Sequence, residues 1–216
     1  MSRSLSSLQR LCGLAMLTAL AYLTMLVLRV PLFPAAGFLK YEAKDVVLAL
    51  AGLLYGPAGG AVAALTTCLL EMFTVSDTGW IGFVMNLLSS LLFLLPSALL
   101  CSKKRTAGRA LCGLTVGALL MCAGMLLWNV LLTPLYMGVP RQQMVELLLP
   151  VFLPFNLLKG LLNAGLAAAL WSALLPLLQK ARLLPPPEDS TRRFPWPVLL
   201  PAAALIAGAI LCARLL

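Results

Sequence analysis

Residues 151–178 read VFLPFNLLKGLLNAGLAAALWSALLPLL, and Lys159 is the single charged side chain among them. A spanning helix needs roughly 20 consecutive apolar residues, so this stretch is long enough to cross a bilayer. Its one ammonium is the exception that needs a reason, because a charge held at mid-depth in hydrocarbon is costly. The rest of the chain is built to the same composition. Of 216 residues, 62% are hydrophobic and only 11% charged, with a mean hydropathy of +1.00. A water-soluble domain has nowhere to hide that much apolar surface. About six or seven spans with short loops use the whole length, which leaves no room for a soluble domain.

Outward from residues 151–178, the apolar segments and their breakers divide the chain. A first helix is expected over residues 8–28. It follows Arg3 and Arg10 and is too long, and too poor in a small-residue cleavage site, to be a removable leader. Pro31, Pro34 and Gly37 then mark a long irregular connection. Residues 44–55 form a helix too short to span alone, broken by Gly56-Pro57 from a third helix over 58–74. Such interrupted segments often border a transporter's binding cavity. Further helices are expected over 80–101, where Pro96 predicts a kink, over 110–132, and over 144–178, where Pro150 and Pro154 predict a bend or a re-entrant piece. Residues 1–179 thus read as an all-α, six-helix membrane domain. Residues 180–197, with Pro185-Pro186-Pro187, read as a linker, and residues 198–216 as an additional transmembrane or interfacial helix.

The formal charge of +9 sets topology rather than partners. With six alternating helices, the basic amino terminus, the Lys103 to Arg109 loop and the Lys180 to Arg193 linker fall on one side, expected to be the cytoplasm. Residues 30–43, 75–79 and 136–145 then face outward. There Lys40, Lys44 and Arg141 are offset by Glu42, Asp45, Asp77 and Glu146. No basic face with interleaved aromatics is present, so nucleic acid is not an expected partner.

Polar side chains inside the apolar segments are the candidate site. Asn156, Lys159 and Asn163 share one helical face by their spacing, and Asn129 of the preceding helix joins them if the two faces meet. An alternative is that Lys159 snorkels while the asparagines bond neighbouring helices. Some eleven residues separate Lys159 from the outer end of its helix, roughly 16 Å, which is far for snorkelling. Glu71 either neutralises Lys159 or reaches the outer interface, and Asn86 is a further cavity donor and acceptor or a packing residue. Amides carry both a donor and an acceptor, which suits a neutral ligand rich in amide and hydroxyl groups. Ala15 and Ala19 form a small-x-x-x-small pair on the first helix, a weak motif for close helix approach.

Several chemistries find no support. The chain has no histidine, which removes Ser/His and Cys/His nucleophilic pairs, and zinc binding is not expected. The six cysteines form no C-x-x-C pair and read as small buried hydrophobes. No G-x-x-x-x-G-K-[ST] phosphate loop exists, so any ATP hydrolysis belongs to separate subunits. An intramembrane enzyme using Glu71, Asp77 or Lys159 lacks paired carboxylates or metal ligands at a recognisable spacing, and a structural subunit without a ligand is a further alternative.

Several segments together carry a resemblance. They are Phe38-Leu39-Lys40-Tyr41-Glu42-Ala43-Lys44-Asp45-Val46-Val47, Gly52-Leu53-Leu54-Tyr55-Gly56-Pro57, and Thr78-Gly79-Trp80-Ile81-Gly82 with Asn86. Trp128-Asn129, Thr133-Pro134-Leu135-Tyr136-Met137-Gly138-Val139-Pro140 and Pro154-Phe155-Asn156-Leu157-Leu158-Lys159-Gly160 complete the set. Over about residues 11–178 the chain resembles the S components of energy-coupling-factor (ECF) transporters, especially the riboflavin-binding type. The resemblance implies a multi-pass cell-membrane bundle that captures a vitamin from outside and performs no chemistry. It also implies docking onto a transmembrane T component driven by two ATPase subunits, with riboflavin as transported ligand and no cofactor. By the same resemblance Asn129, Asn156 and Lys159 are riboflavin contacts, Leu39 and Lys40 belong to a gating loop, and Ala15 and Ala19 dock the partner. Two features depart from the family pattern: the carboxy-terminal segment 198–216, and the charge of Lys40-Tyr41-Glu42. An S component for another small molecule has the same fold.

Overall fold

The computed structural model describes residues 6–31, 39–76 and 78–181, apart from the side chains of residues 136 and 137. The linker and carboxy-terminal segment expected over 180–197 and 198–216 therefore lie outside the described residues beyond residue 181. So do Asp77, Cys212 and the middle of the loop expected over 30–43.

Helix α1 covers Ser7–Val27. It starts where Ser6 accepts from the Gln9 amide at 3.2 Å and the Gln9 side chain accepts from the Ser6 amide at 3.0 Å, a reciprocal cap written in the S-x-x-Q spacing. Strands β1 (Arg29–Pro31) and β2 (Lys40–Glu42) follow as an antiparallel ladder that aligns Arg29 with Glu42 and Val30 with Tyr41. The sequence suggests only an irregular connection here, because three-residue strands are too short to show a period of two.

Helix α2 (Lys44–Thr74) is two helical segments joined at a non-helical residue, Gly56. Gly56 has φ 85° and ψ 176°, a backbone conformation essentially closed to other residues, and Pro57 follows it. A Cβ placed on Gly60 would lie 2.8 Å from the Cα of Gly52, although eight residues along one straight helix span about 12 Å. The chain therefore doubles back at Gly56. Residues 44–55 and 57–74 form two antiparallel arms in contact through glycines, at the break expected from Gly56-Pro57.

Helix α3 (Gly79–Cys101) runs through Pro96, and α4 (Ala107–Leu131) begins at a Thr106 cap that accepts from the Arg109 amide at 3.3 Å. Two short helices, α5 (Thr133–Met137) and α6 (Arg141–Glu146), occupy what the sequence suggests is a loop. A π-helical turn over Leu148–Phe152, holding Pro150, then leads into α7 (Leu153–Lys180). Of the two prolines from which a bend or re-entrant piece is expected, Pro150 lies in this turn and Pro154 in the first turn of α7.

Among the described residues, five helices are long and apolar enough to cross a membrane. Helix α2 packs on α1 and α3, α3 on α4, and α4 on α7. The core between them is Ala-rich, with Leu48, Phe93, Leu94, Leu114 and Met121 filling the gaps. Outward faces carry Leu, Val and Phe, as a lipid-facing surface requires. Of the cysteines expected to be buried, Cys68, Cys101 and Cys122 are, whereas Cys12 and Cys112 are exposed on outward faces.

The fold-back predicts a position-specific cost. Gly56→Ala meets no atom within 4 Å, so its penalty is that of the backbone alone, about 1–3 kcal/mol. Gly60→Val must force the two arms apart, costing about 1–3 kcal/mol or more. Both variants should melt below the parent in detergent, while Leu99→Ala on an outward face should stay within about 0.5 kcal/mol of it.

Candidate functional site

One end of the bundle gathers the buried charged side chains of the described residues and the amides of Asn129 and Asn156. Strand β2 and the first turns of α3 and α7 meet the last turns of α4 there, around a cavity of about 250 Å³. Its wall includes Arg29, Leu39, Lys40 and Glu42 from the β ladder and its approach, and Thr78, Gly82, Met85, Asn86 and Ser89 from the start of α3. Helix α4 adds Met125 and Asn129, and α7 adds Phe155, Asn156 and Lys159.

Local bonding aims the amides. Asn129 donates from Nδ2 to the Met125 carbonyl at 2.7 Å and accepts at Oδ1 from the Thr133 hydroxyl at 3.0 Å. Asn156 donates from Nδ2 to the Phe152 carbonyl at 2.8 Å, beside the π turn. Asn86 donates from Nδ2 to Glu71 Oε1 at 2.9 Å.

Charges are compensated in two linked sets. In the first, Glu42 lies 3.1 Å from Arg29 Nε and 2.8 Å from Lys44 Nζ, and Lys44 also pairs with Glu71. In the second, Asp45 accepts from the Ser90 hydroxyl at 2.6 Å and faces Lys159 Nζ at 3.5 Å. Three cations thus meet three anions, and all three carboxylates are nearly or fully buried. The network has no net charge.

The positions expected from the sequence divide accordingly. Leu39, Lys40, Asn86, Asn129, Asn156 and Lys159 line the cavity together. Glu71 does not line it, does not pair with Lys159 and does not reach the outer interface. It is 1% exposed and is held by Lys44 and Asn86, because Asp45 already occupies the place beside Lys159. Asn163 is also off the wall: it is fully buried and its Oδ1 accepts from the Tyr41 hydroxyl at 2.9 Å. Lys44, Glu42 and Asp45, which the sequence suggests only as mutually offsetting charges on the outer side, are 1%, 4% and 0% exposed. Their partners sit on other helices, and no local spacing reveals such pairing. Ala15 and Ala19 lie on an exposed face of α1, away from the cavity.

The geometry defines a helical membrane protein with a polar pocket near one end of its bundle, lined by amides and by members of a paired ionic network. Such a pocket can bind a small molecule by hydrogen bonds. Comparison with known proteins narrows this. Residues 9–171 match the family model "ECF transporter, substrate-specific component", and the chain belongs to that family. The riboflavin transporter FmnP of Bacillus subtilis is 30% identical, over 81% of this chain and 96% of its own length. The riboflavin transporter RibU of Staphylococcus aureus is 27% identical, over 80% and 93%. A solved structure described as "Structure and mechanism of the S component of a bacterial ECF transporter" superposes with a TM-score of 0.67 at 26% identity, covering 79% of this chain and 98% of that one.

Two groups of strand β2 carry pH dependence. Burial, and then the Asp45 carboxylate, push the Tyr41 phenol up to about 12 from 10.0. Burial works against the charge of Glu42, but Lys44, Lys159 and Arg29 outweigh it and hold that carboxyl below its ordinary value. The signs follow from linkage. Stabilisation from neutral Tyr41 is full below the unfolded phenol's value and is lost as pH rises toward 12. Stabilisation from Glu42 is full above the unfolded carboxyl's value and is lost as pH falls through its lower folded one. A titration of tyrosinate absorbance should show one late-ionising phenol that Tyr41→Phe removes, and the variant should lose about 1–3 kcal/mol at neutral pH because Asn163 is left unpaired.

Proposed function

We propose that the chain is the substrate-binding S component of an ECF-type importer that captures riboflavin from outside the cell. The observation that carries this reading is the meeting of Asn129, Asn156 and Lys159 on one cavity wall, within an ionic network of zero net charge. A flavin is a flat ring system edged with carbonyls, ring nitrogens and an imide N–H, with a hydroxylated side chain. Asparagine amides and one ammonium suit those edges, and Met85, Met125, Leu39 and Phe155 supply apolar surface for the ring. The names of the related transporters support the same ligand.

The remaining parts of the proposal follow the family. Counting the two arms of α2 separately gives six membrane helices: α1, the arms of α2, α3, α4 and α7. The amino terminus faces the cytoplasm and the cavity end faces outward, where residues 30–43, including Leu39 and Lys40, gate access. Ala15 and Ala19 on exposed α1 support docking onto a T component, and two ATPase subunits supply the energy. Residues 180–197 act as a linker, and 198–216 as an added transmembrane or interfacial helix. The S component itself catalyses no reaction.

The absorption spectrum of the purified protein is the first test: co-purifying flavin should colour it yellow. A colourless preparation that also fails to quench added riboflavin fluorescence rejects the substrate. Asn129→Ala and Asn156→Ala should each weaken binding by about tenfold or more, the cost of an unpaired polar group being about 1–3 kcal/mol. Asn163→Ala, away from the wall, should weaken binding less than either, while costing about 1–3 kcal/mol of stability because the Tyr41 hydroxyl loses its acceptor.

A further inference from the structure

Glu71 is the one predicted site residue that the fold removes from the cavity yet leaves bonded to its wall. Both of its oxygens are engaged: Oε2 takes the Lys44 ammonium, and Oε1 accepts from Asn86 Nδ2 at 2.9 Å. A carboxylate only accepts hydrogen bonds, so the amide facing it must present its NH₂ side. The carbonyl side of Asn86 is then turned the other way. Asn86 lines the cavity, and among the described residues its Oδ1 has no hydrogen-bond donor.

We infer that Glu71 is a positioning residue that fixes Asn86 as a hydrogen-bond acceptor toward the ligand, so the site selects a molecule with an N–H or O–H donor at that point. This rests on the proposed flavin capture and adds a basis for selectivity to it. Without Glu71, an asparagine amide can rotate by half a turn and offer either end at little cost. With Glu71 in place, rotation would set Oδ1 against a carboxylate oxygen, two acceptors face to face with no proton between them. Lys44 holds the carboxylate in turn, and it is itself anchored by Glu42 at 2.8 Å. The selectivity of the wall is therefore set from behind it.

A flavin offers two donors for this role, the imide N–H and the side-chain hydroxyls, and the test separates them. Riboflavin, N3-methylriboflavin and lumiflavin, which lacks the hydroxylated chain, are titrated against the full chain by fluorescence quenching. The unaltered protein should bind one of the two analogues roughly ten- to hundredfold more weakly than riboflavin, the scale set by an unmet buried acceptor. Asn86→Ala, which leaves the Lys44–Glu71 pair in place, should abolish that preference. Glu71→Gln should reduce it, because a side-chain amide can face either end of Asn86, and Glu71→Asp should restore part of it. In an Asn86→Ala background Glu71→Gln should alter selectivity no further. Preference that survives Asn86→Ala overturns the inference, whether or not the Glu71 variants fold. So does a Glu71→Gln effect equal for all three flavins and unchanged without Asn86, which is the mark of a purely structural role. Equal binding of all three by the unaltered protein also overturns it. Failure to bind any flavin instead removes the underlying reading, and the inference with it.

Discussion

A carboxylate or ammonium enclosed in a bundle whose outer faces are apolar costs several kcal/mol unless an opposite charge and further hydrogen bonds lie against it. Six such groups converge near one end of this protein, and their pairing dictates which elements must meet. Glu42 of β2 joins Arg29 of β1 and the start of α2. Lys44 joins the two arms of α2 through Glu71, and Asn86 extends that connection to α3. Asp45 reaches α3 through Ser90 and α7 through Lys159. Glu42 and Lys44 each touch two opposite charges, whereas Asp45 and Lys159 have one each, so removing either member of that last pair leaves the other buried charge uncompensated.

That pair has a consequence for the ligand. Because Asp45 lies against it, Lys159 can stand in the wall of the cavity with its charge met from within the protein. The amides do the remaining work at low cost. Asn129 and Asn156 each spend an N–H on a carbonyl of their own helix, four residues back, and so arrive with their rotamers already set. Groups held in place before binding lose little entropy when it occurs, which is how a small polar cavity can bind tightly.

Much of the architecture is written locally. The apolar segments follow from composition and length, the fold-back of α2 from Gly56-Pro57, and the π turn from prolines that remove two amide donors in one helix. Asn156 and Lys159 are legible as a pair because a helix places residues three apart on one face, and the same rule misled at Asn163. Its stripe continues along the helix below the cavity, where Tyr41 takes up its carbonyl. What the sequence hides is pairing between elements. Glu42, Lys44 and Asp45 look like a solvated charge run at a helix start, and nothing nearby in the chain signals that Glu71 and Lys159 await them. The β ladder is hidden for another reason: two strands of three residues are held by tertiary contacts rather than by intrinsic preference.

Strand β2 shows how closely the parts depend on one another. Successive side chains of a strand point to opposite faces, and Lys40 and Glu42 line the cavity while Tyr41 between them does not. Tyr41 turns away and donates to Asn163 on α7, so one three-residue strand contributes to the wall with one face and to the scaffold with the other. The register that sets Arg29 opposite Glu42 fixes this division. A slip of one residue would exchange the faces. The phenol would then enter the cavity, Glu42 would leave both Arg29 and Lys44, and Asn163 would lose its donor. Pairing of the charges therefore does more than offset their burial: it selects the one strand register in which the cavity exists.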